Sequence, residues 1–258
     1  MHRMVVLGAV ALVAIAARPV WAEPAGDSTK RYFAQLFRID AARITGVDGF
    51  KLPPGNRYGK AWLGTYTNNG AAMSAVALSR CRAESCKNEA RYTFPGKLEF
   101  LGVVDLEGPP GPLTARDMVS LPGGLDDHPS PSPRARAGAL VIRTREVRSS
   151  REPNISGAMV NSESVRTTLR LLSLQRDSNL PLLEIVVVDT VSVGGGQVTT
   201  LELVKGRDAT LDVRSSEQRR TLDGSGCIEP EPWVRTWQLT RDHYVADATP
   251  EPARDGCW

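Results

Sequence analysis

The stretch from Val165 to Val204 is the longest apolar run beyond the N-terminal segment, and it constrains the fold more than any other part of the chain. It reads as three consecutive β-strands. In Leu182 to Val193, Leu183, Ile185, Val187, Val191 and Val193 share one face with Asp189, while Leu182, Val186 and Val188 place apolar groups on the other. β-Branched side chains suit a pleated surface better than a helix. A strand apolar on both faces in its middle is expected to be covered on both sides, as in a sandwich core. Gly194-Gly195-Gly196 ends the run, and Val198, Leu201, Leu203 and Val204 form a return strand. Upstream, Val165, Thr167, Leu169 and Leu171 alternate with Arg166, Thr168 and Arg170, the pattern of a strand with one solvated face. The triple glycine is a hairpin turn and not a phosphate loop, because no Lys-Ser/Thr and no helical pattern follow it.

Around this centre the same period-2 pattern recurs. Ser28 to Ala42 carries Tyr32, Phe33, Leu36, Phe37 and Ile39 on one stripe and predicts one N-terminal helix with Ser28 as its cap. Strands are expected at Arg43–Phe50, Tyr58–Thr67, Ala71–Leu78, Arg91–Phe94 and Leu98–Leu106, with Asn68-Asn69-Gly70 as a hairpin turn. Glu107 to Ala137 is rich in proline and glycine and has no periodicity, so it reads as a long irregular connection. Ala139–Val147 restarts the strands, Arg148–Gly157 reads as a polar loop, Thr210–Arg214 as a short strand, Ser215–Gly226 as a turn-rich loop and Trp233–Thr240 as the last strand. The expected fold is therefore mainly β: an antiparallel β-sandwich-like meander with one N-terminal helix and a long irregular Pro-rich connection. Residues 23–121 form the helix and first meander, 122–137 a linker or insertion, and 138–258 a C-terminal β unit packed tightly against the first. Each half alone has few strands with which to close a core.

The chain opens like an export signal. His2 and Arg3 precede an apolar run from Met4 to Ala17, and Val20-Trp21-Ala22 offers a small-residue cleavage site. That run is too short to cross a bilayer comfortably. Residues 1–22 are thus expected to be a cleaved signal peptide, with a mature protein that is periplasmic or secreted and has no transmembrane segment. Cleavage removes Arg3 and Arg18, so 32 basic side chains become 30 against 29 acidic ones. A nearly neutral chain gives no general argument for nucleic acid or an anionic surface. Four cysteines in an exported chain suggest disulfides, with Cys81–Cys86 and Cys227–Cys257 as the local pairing. Their spacing does not fit paired zinc knuckles, and nothing in the sequence calls for a metal or cofactor.

The acid–base inventory is thin. After the signal only His128 and His243 remain, and there is no Gly-x-Ser-x-Gly elbow or His-Glu-x-x-His helix. Glu184, Asp189, Glu202 and Asp212 offer carboxylates on strands, but any sheet offers such pairs. Two groups could bind a ligand. Trp233, Arg235 and Trp237 share one strand face and could stack as a cation–π ladder. Arg143 and Arg145 share another face, within a local cluster that includes Arg134, Arg136, Arg148 and Arg151. The expectation is an exported, non-catalytic envelope or binding protein whose partner is a glycan or another envelope component. The alternative is a secreted hydrolase acting on cell-wall or extracellular polymer. The sequence leaves the oligomeric state open.

Overall fold

The computed structural model describes residues 25–53, 55–82, 85–112, 138–153, 157–176, 179–191, 195–206, 210–220 and 231–251. The expected signal peptide, residues 113–137 of the Pro-rich connection (with His128), Cys227 and Cys257 lie outside these residues.

The helix α1 runs Ala25–Phe37, not Ser28–Ala42. It stops because Arg38 takes a left-handed φ of 54° and the Ile39 N–H reaches back to the Ala34 carbonyl at 2.9 Å, a C-terminal cap formed without the glycine that usually marks one. A short 3-10 turn, Ala41–Arg43, follows, with the Asp40 carboxylate accepting from the Ala42 N–H.

Two antiparallel sheets hold the rest. The smaller has β1 (Ile44–Lys51), β2 (Lys60–Asn68), β3 (Ala71–Arg82) and β4 (Ser85–Pro95) in sequence order. Asn69 and Gly70, with φ of 49° and 79°, make the β2–β3 turn that Asn68-Asn69-Gly70 predicts. The larger sheet contains β5 (Lys97–Asp105), β7 (Gly138–Pro153), β8 (Met159–Ser173), β9 (Leu183–Val191), β10 (Gly195–Lys205), β11 (Leu211–Arg220), β12 (Trp233–Leu239) and β13 (Tyr244–Ala246), each beside the next. A two-residue β6 (Gly111–Pro112) pairs with Leu203 and Glu202 of β10, on the edge that β9 leaves after Val198. With the Leu211 N–H donating to the Leu106 carbonyl at 2.8 Å, that contact curls the large sheet back on itself.

Three apolar clusters follow from this layering. Phe33 of α1 packs over Trp62, Tyr66, Ala75 and Ala77. Gly64 is required beneath it, because a Cβ there would overlap the Phe33 ring. The opposite face of the small sheet (Leu63, Val76, Leu78, Tyr92) meets Leu140, Ile142, Leu172 and Leu174 of the large one. The other face of the same two strands (Ala139, Val141, Leu169, Leu171) joins Ile185, Leu201, Leu203 and Val213 inside the curl. The chain crosses between the sheets at Gly96, whose φ is 90°; a Cβ there would sit 2.6 Å from the Arg145 carbonyl oxygen.

The strand covered on both faces is thus not the expected one. In β9, Leu183 and Ile185 are buried, but Val186 and Val188 stay half-buried and Glu184 is exposed. Double burial falls on β7 and β8 because the narrow small sheet lies over those strands and does not reach β9. Two expected loops are also strand. β7 extends to Pro153, pairing with β8 as far as Met159, and β11 extends to Arg220, pairing with β10 as far as Gly196.

Candidate functional site

The site is built on β10, β11 and β12. In register, Val213 faces Trp237, Ser215 faces Arg235 and Glu217 faces Trp233. Directly opposed residues of an antiparallel pair project to one side of the sheet. β10 adds Thr199 opposite Glu217 and Leu201 opposite Ser215. One end of this surface is apolar and belongs to the core inside the curl, with Trp237 and Leu239 packed against it. The other end is polar.

Trp233, Arg235 and Trp237 form the ladder that their spacing predicts. The Arg235 guanidinium carbon lies 3.9 Å from the Trp233 ring centre and 4.8 Å from that of Trp237. All three residues are half-buried, so the ladder is neither a free platform nor sealed core. Trp237 is anchored by its Nε1–H, which donates to Ser215 Oγ at 2.8 Å. Glu217 is held by Arg219 at 2.7 Å, and Arg219 reaches Glu251 at 2.8 Å. Burial opposes the charge on Arg219, but its hydrogen bonds to Glu251 and Glu217 win and raise its pKa further. Glu217 lies 4.0 Å from the Arg235 Nη2. Asp247 binds the Thr236 N–H from the next strand at 3.1 Å.

Ser215, Glu217 and Arg219 had no legible signal. Ser215-Ser216-Glu217-Gln218-Arg219-Arg220 carries no apolar face, so its alternation is invisible to a hydropathy pattern. Only pairing with β10 and β12 shows that Ser215 and Glu217 are buried.

The second candidate is less concentrated. Arg143 binds Glu99 of β5, and Arg148, on the opposite strand face, binds Glu146 at 2.7 Å. Arg145 is exposed, with Lys97 and Thr167 as its cross-strand neighbours. Arg134 and Arg136 lie outside the described residues. Three of the four strand carboxylates with catalytic potential face an arginine: Glu184 binds Arg170 at 3.0 Å, Asp189 binds Arg166 at 2.8 Å, and Glu202 lies 3.7 Å from Arg214. Asp189, the odd polar residue of its strand face, is therefore in an ion pair. His243 is exposed in the β12–β13 turn, where its carbonyl accepts from Thr240 Oγ1 at 2.6 Å. Cys81 and Cys86 are register partners across β3 and β4. Among the described residues no group of three His, Cys, Asp or Glu side chains could hold a metal ion, and no helix is long and apolar enough to cross a membrane.

No family model matches the chain, and no curated protein or solved structure matches it either.

Proposed function

We propose that this chain is an exported, non-catalytic binding protein whose ligand is a glycan or another component of the cell envelope, engaged at the Trp233–Arg235–Trp237 strand. The observation that carries this reading is the half-buried cation–π ladder on β12, which runs from the apolar end of the β10–β12 face at Trp237 to its polar end at Trp233. Large aromatic and arginine side chains are the usual anchors of recognition. The export reading rests on the basic start, the apolar run Met4–Ala17 and the Val20-Trp21-Ala22 site. Two disulfides, Cys81–Cys86 and Cys227–Cys257, belong to the same proposal; the facing positions of Cys81 and Cys86 support the first.

The test is co-sedimentation of the purified full chain with isolated cell-wall polymer, comparing wild type with Trp233→Ala. The variant is expected to lose at least about tenfold in affinity while its circular dichroism is unchanged, since a truncated anchor costs more than about 1.4 kcal/mol at a true hot spot. Equal sedimentation of the two proteins, or none by the wild type, overturns the assignment.

A further inference from the structure

Buried polar atoms in folded proteins almost always have a hydrogen-bond partner, and an exception calls for an explanation. Three exceptions fall within two neighbouring rungs of β10–β12. Thr199 Oγ1, Trp233 Nε1 and Arg235 Nε find no partner among the described residues. Thr199, Glu217 and Trp233 form one rung, and Leu201, Ser215 and Arg235 form the next, all on one face. Thr199 is itself only 6% exposed.

The neighbouring groups are already engaged. Ser215 Oγ accepts from Trp237, and Glu217 is committed to Arg219. The guanidinium of Arg235 fills the space between the two indoles, so a sugar ring cannot stack on their facing surfaces. Arg235 pairs with Glu217 only at long range, 4.0 Å from its Nη2, and its charge also acts on Asp247, while its Nε has no acceptor among the described residues. What remains is a hydroxyl, two N–H donors and a cation. This set asks for an acceptor, and best for a negatively charged one.

We propose that Thr199, Trp233 and Arg235 bind a carboxylate group, carried by the envelope ligand of the reading above, on which this proposal rests. A carboxylate is flat and has two acceptor oxygens, and Arg235, whose side chain remains 22% exposed, reaches the surface. The same chemistry comes from a uronic acid or from the free carboxyl of a peptide.

The indole Nε1–H resonance of Trp233, assigned through Trp233→Phe, is followed while sodium acetate, glucuronate, N-acetylalanine, glucose or sodium chloride is added to the full chain. A saturable shift with at least one carboxylate and none with glucose or chloride is expected. Arg235→Gln should weaken that response at least about tenfold with circular dichroism unchanged. No saturable shift with any carboxylate, or an equal one with chloride, overturns the proposal and assigns the donors to water. Stronger binding of glucuronate than of N-acetylalanine assigns a sugar carboxyl, and the reverse a peptide carboxyl. Co-sedimentation with native and carboxyl-amidated cell-wall polymer separates the two levels. Equal binding to both overturns the carboxylate and leaves the envelope reading standing, whereas binding to neither overturns the envelope reading.

Discussion

Two arginines of the large sheet stack on aromatic rings, and their surroundings differ. Arg170 of β8 lies 4.3 Å from the ring centre of Phe94, between the two sheets, and is 4% exposed. Its Nε and Nη2 form a fork on the two oxygens of Glu184, both at 3.0 Å, and its Nη1 donates to Thr144 Oγ1. A buried cation held this way is part of the scaffold, because its desolvation is offset by charge-assisted bonds to a carboxylate across the strand pair. Arg235 of β12 stacks on two indoles but lacks an acceptor for its Nε among the described residues. The first arginine is complete within the protein. The second is arranged as though something else completes it.

The largest effect in this comparison should come from Arg170→Ala, which strands the 3%-exposed Thr144 hydroxyl and removes the fork on Glu184. Loss of charge-assisted bonds and packing at a buried site predicts a fall of about 3 kcal/mol in unfolding free energy. Urea denaturation measures it, and a change below about 1 kcal/mol would remove the distinction between the two sites. Arg235→Ala should cost less, at most about 1 kcal/mol by the same assay, since losing the cation–π contacts is offset by removing an unpaired donor. A cost equal to that of Arg170→Ala would make the ladder a structural stack and undo its reading as a site.

The smallest effect concerns Asp247, which ties β13 to the backbone of the ladder strand. Its slight burial pushes its pKa up, but hydrogen bonds from Thr249 and from the Thr236 and Thr249 backbone, with the charge of Arg235, bring it below the usual aspartate value. A carboxyl depressed in the folded state contributes stability that is present above its unfolded pKa and lost as pH falls through the folded one. Asp247→Asn should therefore lower stability slightly at pH 7, where the carboxylate contributes, and flatten the acid side of the stability–pH profile below about pH 4, so that the two proteins converge in acid. An unchanged acid limb would show that Asp247 does not help hold β13 against the ladder strand.

The ladder was legible in the sequence because Trp233, Arg235 and Trp237 recur at the strand period, and any strand must place them together. Its surroundings were not. Thr199 lies in the return strand and Glu217 in a polar run without an apolar face, and only cross-strand register makes them neighbours of Trp233. The outer half of β7 was hidden for the same reason: Arg148 to Pro153 is polar on both faces and is strand because β8 pairs with it.

By itself the sequence determined what local periodicity and turn chemistry can express: a mainly β chain, the Asn69-Gly70 hairpin, an aromatic helix near the N-terminus and the apolar strands of the Val165–Val204 stretch. Tertiary structure alone decided which strands are buried twice, where the large sheet curls and which polar atoms end without a partner. Those outcomes depend on which sheet lies over which strand and on register between segments far apart in the chain. A strand's own residues specify its two faces but not what comes to cover them.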